Sequence, residues 1–278
     1  MDRSGTPVSG VTADPIRLGT MLYTLVEPHR GHEVDYNRWY ERDHFYAGCQ
    51  IGAFNFAGAR FVATSDLKAL RRPVPGGTPA PLVGDPQVGS YLALYFVLAG
   101  HHDEWNRWAV DQVNLLHASG RMFAERDHVH TGLYRFAFEH RRDDDGVPAE
   151  LVLDHRFGGL ASVFVEAEGA PVDELVDWYR TVALGRLLPG SPVATVLGFT
   201  PLPLLGDAPG DVPRDAAAER RLLLLCFLDE EPATAWPRVL AGHPALLGGR
   251  GRIVWEAPFR PTVVGTDTYV DRLWEDQL

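Results

Sequence analysis

The chain has 278 residues, room for one large domain or two of roughly 100–200 residues each. With 26 Lys and Arg against 37 Asp and Glu, the formal net charge of -11 repels a phosphate backbone, so nucleic acid is excluded as the expected partner. Two cysteines, Cys49 and Cys226, supply neither a disulfide framework nor a paired-cysteine zinc site, and no apolar run approaches the roughly 20 residues that span a bilayer; the expectation is a cytoplasmic protein away from membranes.

Residues 1–15, rich in Gly, Ser, Thr, Asp and Pro, read as a disordered tail. Arg17 to Val26 has strand character, and Glu33 to Tyr46 is helical, with Tyr36, Tyr40 and His44 at i, i+4 and i+8 on one face. A strand follows from Phe54 to Thr64, then a Pro/Gly-rich loop from Arg72 to Gly89. Tyr91 to Leu98 is a strongly apolar strand, His101 to Ala118 a helix, and His128 to His140 a strand with alternating aromatics. This half reads βαββαβ. Arg141 to Pro148 is a charge-and-turn cluster with nothing to bury, and marks the linker.

The same order recurs beyond it: strand Leu160 to Glu166, helix Pro171 to Leu188, strand Ala194 to Pro201, strand Arg221 to Leu228, helix Ala233 to Leu240 and strand Arg252 to Phe259. Trp39-Tyr40 in the first helix parallels Trp178-Tyr179, and Trp105 in the second parallels Trp236. With 7 Trp in the whole chain, such pairing points to an internal repeat. The expected class is α+β: two tandem ferredoxin-like βαββαβ halves, residues 16–142 and 151–264, with a linker at 143–150 and an extension at 265–278.

Tyr36-Asn37-Arg38-Trp39-Tyr40-Glu41-Arg42-Asp43-His44, followed by Ala57-Gly58-Ala59-Arg60-Phe61, resembles the first helix and second strand of the dimeric α/β-barrel superfamily, and within it the EthD-like proteins. The resemblance implies an intramolecular barrel in place of a homodimer, with pockets between sheet and helices. The repeat carries Arg180, Thr181, Val182 and Ala183 where the first half has Glu41, Arg42, Asp43 and His44. One working half and one structural half are therefore expected.

His44 is the leading candidate acid or base, because imidazole titrates near neutral pH; a cap on the helix C-terminus is the alternative. Tyr36 and Tyr40 share its expected face and are candidates to hydrogen-bond an enolate oxygen, or core residues. Trp39, Arg60, Asn114, His117 and Tyr134 are candidate substrate contacts. His128 and His130, two apart on a strand, are expected on one face as further contacts; as metal ligands they lack a placed third partner, so no metal is assigned.

No phosphate loop, nucleophile elbow, zinc helix or dinucleotide fingerprint occurs. The expected function is a cofactor-independent enzyme moving protons on a small, apolar or aromatic carbonyl compound: an isomerase, cyclase or lyase. The alternatives are a monooxygenase or a haem- or metal-dependent enzyme on the same fold, and a non-catalytic binder of a hydrophobic metabolite. The expected partner is a small molecule, and the expected assembly a monomer with an internal pseudo-dimer or a homodimer.

Overall fold

The computed structural model describes residues 15–71, 83–206 and 217–275. The expected N-terminal tail, except Pro15, and residues 72–82 of the Pro/Gly-rich loop lie outside them. Among these residues eight strands alternate with helices: β1 (Leu18–Pro28), α1 (Glu33–Trp39), β2 (Asn55–Val62), α2 (Ser65–Lys68), β3 (Tyr91–Leu98), α3 (His102–Ala118) and β4 (Arg126–Arg141) make the first half. In the second, β5 (Gly159–Ala167), α4 (Val172–Trp178), α5 (Leu184–Leu187), β6 (Val193–Leu202), β7 (Arg221–Leu228), α6 (Pro232–Ala235), α7 (His243–Leu247) and β8 (Gly251–Pro261) repeat the order.

The strands close an antiparallel barrel in the order β1-β3-β2-β8-β5-β7-β6-β4. Each half contributes the ferredoxin-like arrangement, β4-β1-β3-β2 and β8-β5-β7-β6, so the chain is two tandem ferredoxin-like halves closed on one another. Closure removes the edges that a lone sheet would expose. One seam, β4 with β6, is long, running from Leu133↔Leu202 to Arg141↔Thr195. The other, β2 with β8, holds only Phe61↔Pro261 and Val62↔Arg260.

Strand alternation sorts the apolar residues into three cores. Met21, Tyr23, Leu25, Leu94, Phe96, Phe164, Phe199, Leu223 and Phe259 fill the barrel. The outward residues of β5 to β8, including Val163, Leu222, Leu224 and Cys226, pack on Leu175, Tyr179, Leu184 and Leu187. Those of the first half, including Val26, Tyr91, Tyr95 and Leu133, pack on Tyr36, Tyr40 and Trp105. This explains why β3 and β7 read as unbroken apolar runs: both faces are covered.

The first helix differs from the expectation in length and in winding. It runs to Gln50, and from Tyr40 onward it is a π-helix. The repeat does the same: α4 ends at Trp178 and a π turn spans Tyr179–Ala183. The paired Trp-Tyr motifs thus sit at the same α-to-π transition in both halves. The expected helix from Ala233 to Leu240 is α6 followed by a 3-10 turn, Trp236–Arg238. Among the described residues no helix is long and apolar enough to cross a membrane.

Candidate active site

Between the first-half sheet and its helices lies a cavity of ≈ 110 Å³, lined by Leu22, Thr24 and Val26 of β1, Tyr40, His44 and Cys49 of the π-helix, Trp105 and Asn106 of α3, and Arg126, His128 and Thr131 of β4. His117 also reaches it, although exposed overall. An apolar cavity of about 150 Å³ holds one benzene ring, so the room here admits nothing larger than a single-ring compound. In the second half Ala183, Leu184 and Leu187, which follow the matching π turn, are buried in the core.

The π winding decides where His44 goes. Bonding from i to i+5 brings side chains five apart into line, and His44 accordingly stacks on Trp39, with ring centroids 4.5 Å apart and planes at 18°. Tyr40 meets it edge-on at 5.1 Å. The ring packs against the backbone of Gly48, where an added Cβ would fall 2.8 Å from the imidazole. His44 is half-buried, and its Nδ1 is out of reach of solvent with no hydrogen-bond partner. Burial, then the Arg126 charge, lower its pKa to about 3, so it is neutral at pH 7.

A hydrogen-bonded chain runs along the facing wall. Arg126, which can only donate, lies with Nη2 3.2 Å from His128 Nε2. That makes Nε2 the acceptor and puts the proton of a neutral His128 on Nδ1, which lies 3.0 Å from the Thr131 hydroxyl. Thr131 in turn lies 2.9 Å from the Thr24 hydroxyl. Arg126 also donates to the Phe123 carbonyl and sits 5.5 Å from the Trp39 ring. The cavity therefore has one wall carrying Arg126 and the His128, Thr131 and Thr24 chain, the His44 imidazole opposite the guanidinium's charge, and a largely apolar remainder.

Several expected contacts lie elsewhere. His128 and His130 do not share a face, because the register against β1 shifts between Leu25↔His130 and Val26↔His128. This bulge leaves His128 in the cavity and turns His130 into the barrel, where its Nε2 lies 2.6 Å from the Tyr134 hydroxyl and both rings meet Phe164. Tyr134 is therefore also a barrel residue. Tyr36 is packed against Trp39, Tyr91 and Phe123 rather than lining the cavity, and burial pushes its hydroxyl up to about 12. Tyr40 reaches the cavity, but its hydroxyl is 3.0 Å from that of Tyr95.

Trp39 supports His44 from behind and donates to the Arg121 carbonyl at 2.8 Å. Asn114 on α3 is exposed and does not line the cavity. Arg60 is buried against Asn37 and Glu41, away from this cavity. Arg126, Thr24, Thr131 and Asn106 were not anticipated. For Asn106 a signal existed: it stands in the 106, 109, 110, 113 stripe of α3, whose other members are apolar.

Neither a metal nor haem fits the described residues of the first-half cavity. Among the described residues no group of three or more His, Cys, Asp or Glu converges on one point. A haem macrocycle is several times larger than this cavity of ≈ 110 Å³.

No family model and no curated protein matches the sequence. Among solved structures, an anthrone oxidase-like protein is similar at 12% identity, with a TM-score of 0.49 over 89% of this chain and 94% of that one. A dye-decolorizing protein from V. cholerae is 11% identical, with a TM-score of 0.43 over 89% and 95%. An encapsulated DyP-type peroxidase from Mycobacterium smegmatis is 14% identical, with a TM-score of 0.42 over 94% and 96%. The strand order itself defines the class as a tandem ferredoxin-like α/β barrel.

Proposed function

We propose that the first-half cavity binds a single-ring, enolisable carbonyl or phenolic compound as its anion and lets it react with dioxygen, making the protein a cofactor-independent monooxygenase. The observation that carries this reading is the pairing of an unpartnered, neutral imidazole with a guanidinium across an apolar cavity. Arg126 supplies positive potential, which favours the enolate or phenolate over its neutral acid. His44 is the acceptor for the departing proton, and an anion beside it raises its pKa once substrate is bound.

The isomerase, cyclase or lyase reading calls on the same proton acceptor, so consumption of dioxygen is what separates the two. Direct oxygenation balances with no further reactant. The methylene loses a proton, the carbanion adds dioxygen, the peroxide takes the proton back, and loss of water leaves a ketone. One methylene and one dioxygen thus become one carbonyl and one water, with the substrate as sole reductant. An EthD-like relationship, inferred from the helix motif, is compatible with this site.

The test is oxygen uptake with cyclohexane-1,3-dione, a single ring with an acidic methylene. We expect one dioxygen consumed per product, with loss of at least a hundredfold in His44→Ala and in Arg126→Met while circular dichroism stays that of the folded protein. Turnover that continues under nitrogen would return the case to proton transfer. A Soret band in the purified protein would remove the cofactor-independent part.

A further inference from the structure

A second cavity, of ≈ 450 Å³, lies at the short seam between β2 and β8 and shares no lining residue with the first. Its origin is covalent. Pro261 has no N–H to continue the ladder, and β8 ends there, so pairing stops at Phe61↔Pro261. One further tie, Thr262 N–H to the Arg60 carbonyl at 3.1 Å, closes the top. Beneath it Gly58 and Ala59 border a gap that opens toward Phe61, Phe157 and Phe227 of the barrel core.

Arg60 lines this gap with its side chain only 4% exposed. Its Nη1 donates to Asn37 Oδ1 at 3.0 Å and lies 3.2 Å from Glu41 Oε1. Its plane rests 4.5 Å from the Tyr40 ring and 5.0 Å from that of Tyr91. Its Nη2 is buried and has no partner. A buried guanidinium donor without an acceptor costs free energy that a bound oxygen recovers. Glu41 offsets the charge, and its Oε2 is held by the Gly265 N–H at 2.8 Å. At the exposed rim Asp154 and Arg156 cancel as well. The vacant requirement is therefore for one oxygen acceptor on an apolar body, not for a polyanion.

We propose that this seam cavity is a second ligand site, taking a largely apolar compound of about two rings through one carbonyl or carboxylate oxygen that accepts from Arg60 Nη2. The volume lies within the roughly 300–1,000 Å³ of small-molecule pockets, and Phe45, Phe157 and Phe227 provide the aromatic walls.

Calorimetric titration of the full chain with 2-naphthoate, 2-acetylnaphthalene and naphthalene tests it. One site is expected, with at least one oxygenated probe binding tenfold or more tighter than naphthalene. A preference for the acid assigns a carboxylate ligand, and a preference for the ketone assigns a carbonyl. Leu153→Trp, which fills the cavity without touching Arg60, should abolish binding. The double variant Glu41→Gln/Arg60→Met, which avoids stranding Glu41, should reduce the oxygenated probes to the naphthalene level. Failure of all three to bind, equal binding of naphthalene, or binding that survives Leu153→Trp but is lost in Val113→Trp of the first cavity would overturn the assignment.

Discussion

A histidine buried beside a guanidinium gives up its proton more readily than one in water, and His44 is so placed by Trp39, Gly48 and Arg126. The consequence for stability has a definite sign. Unfolded, His44 titrates near its ordinary 6.5; folded, it stays neutral to about 3. Between these values the unfolded chain binds the extra proton, so His44's contribution is intact above pH 6.5 and is lost as the pH falls toward 3. His44→Phe keeps the stack on Trp39 without the titration. Unfolding free energies from urea titrations at pH 7.5 and 4.5 should therefore lie closer together in the variant, by on the order of 2–3 kcal/mol. An unchanged gap would mean that His44 is solvated. At this scale the sequence was partly legible. A His ending an aromatic helix face is visible, whereas Arg126 owes its place to strand pairing, which no local pattern announces.

Two departures from regular geometry aim the site's side chains. The π winding after Tyr40 replaces the i, i+4, i+8 face with an i, i+5 stack, taking Tyr36 into the core and laying His44 on Trp39. The bulge in β4 separates His128 from His130, which simple alternation would have kept together. Both add a residue to a repeat, and both depend on what packs alongside, so periodicity alone reads through them. Gly48 tests the first. A Cβ there would push on the imidazole, so Gly48→Ala should lower turnover on cyclohexane-1,3-dione at least tenfold with little change in melting temperature. Farther along β4 the register against β6 also shifts, between Phe136 and Phe138, and there Gly198 makes room for a ring: an added Cβ falls 2.2 Å from Phe138. Gly198→Ala should cost about 1–3 kcal/mol in urea unfolding, relieved by Phe138→Leu in the same chain.

Over the whole molecule the C-terminal extension returns to the first half as a strap. Lys68 Nζ donates to the Leu273 carbonyl at 3.0 Å and to Glu27 Oε1 at 3.3 Å, and Trp274 Nε1 donates to the same Glu27 oxygen at 2.9 Å. The other Glu27 oxygen accepts from the backbone N–H groups of Gly89 and Ser90, both at 2.7 Å. Removing one partner leaves a buried charge uncompensated, so Lys68→Met should destabilise by about 3–5 kcal/mol, measured by urea unfolding, with Glu27→Gln/Lys68→Met recovering part of it. The residues at 265–278 carry no pattern that would reveal this return. The repeat of strand and helix patterns, the two-sided burial of β3 and β7, and the loss of His44's counterpart at Ala183 are properties of local sequence, because periodicity and residue type act within one element. Which side chains meet in a cavity was decided by closure of the barrel. Pairing register, the bulge, the π turn and the truncated β2–β8 seam are set between segments far apart in the chain, and their positions emerge only when all eight strands close.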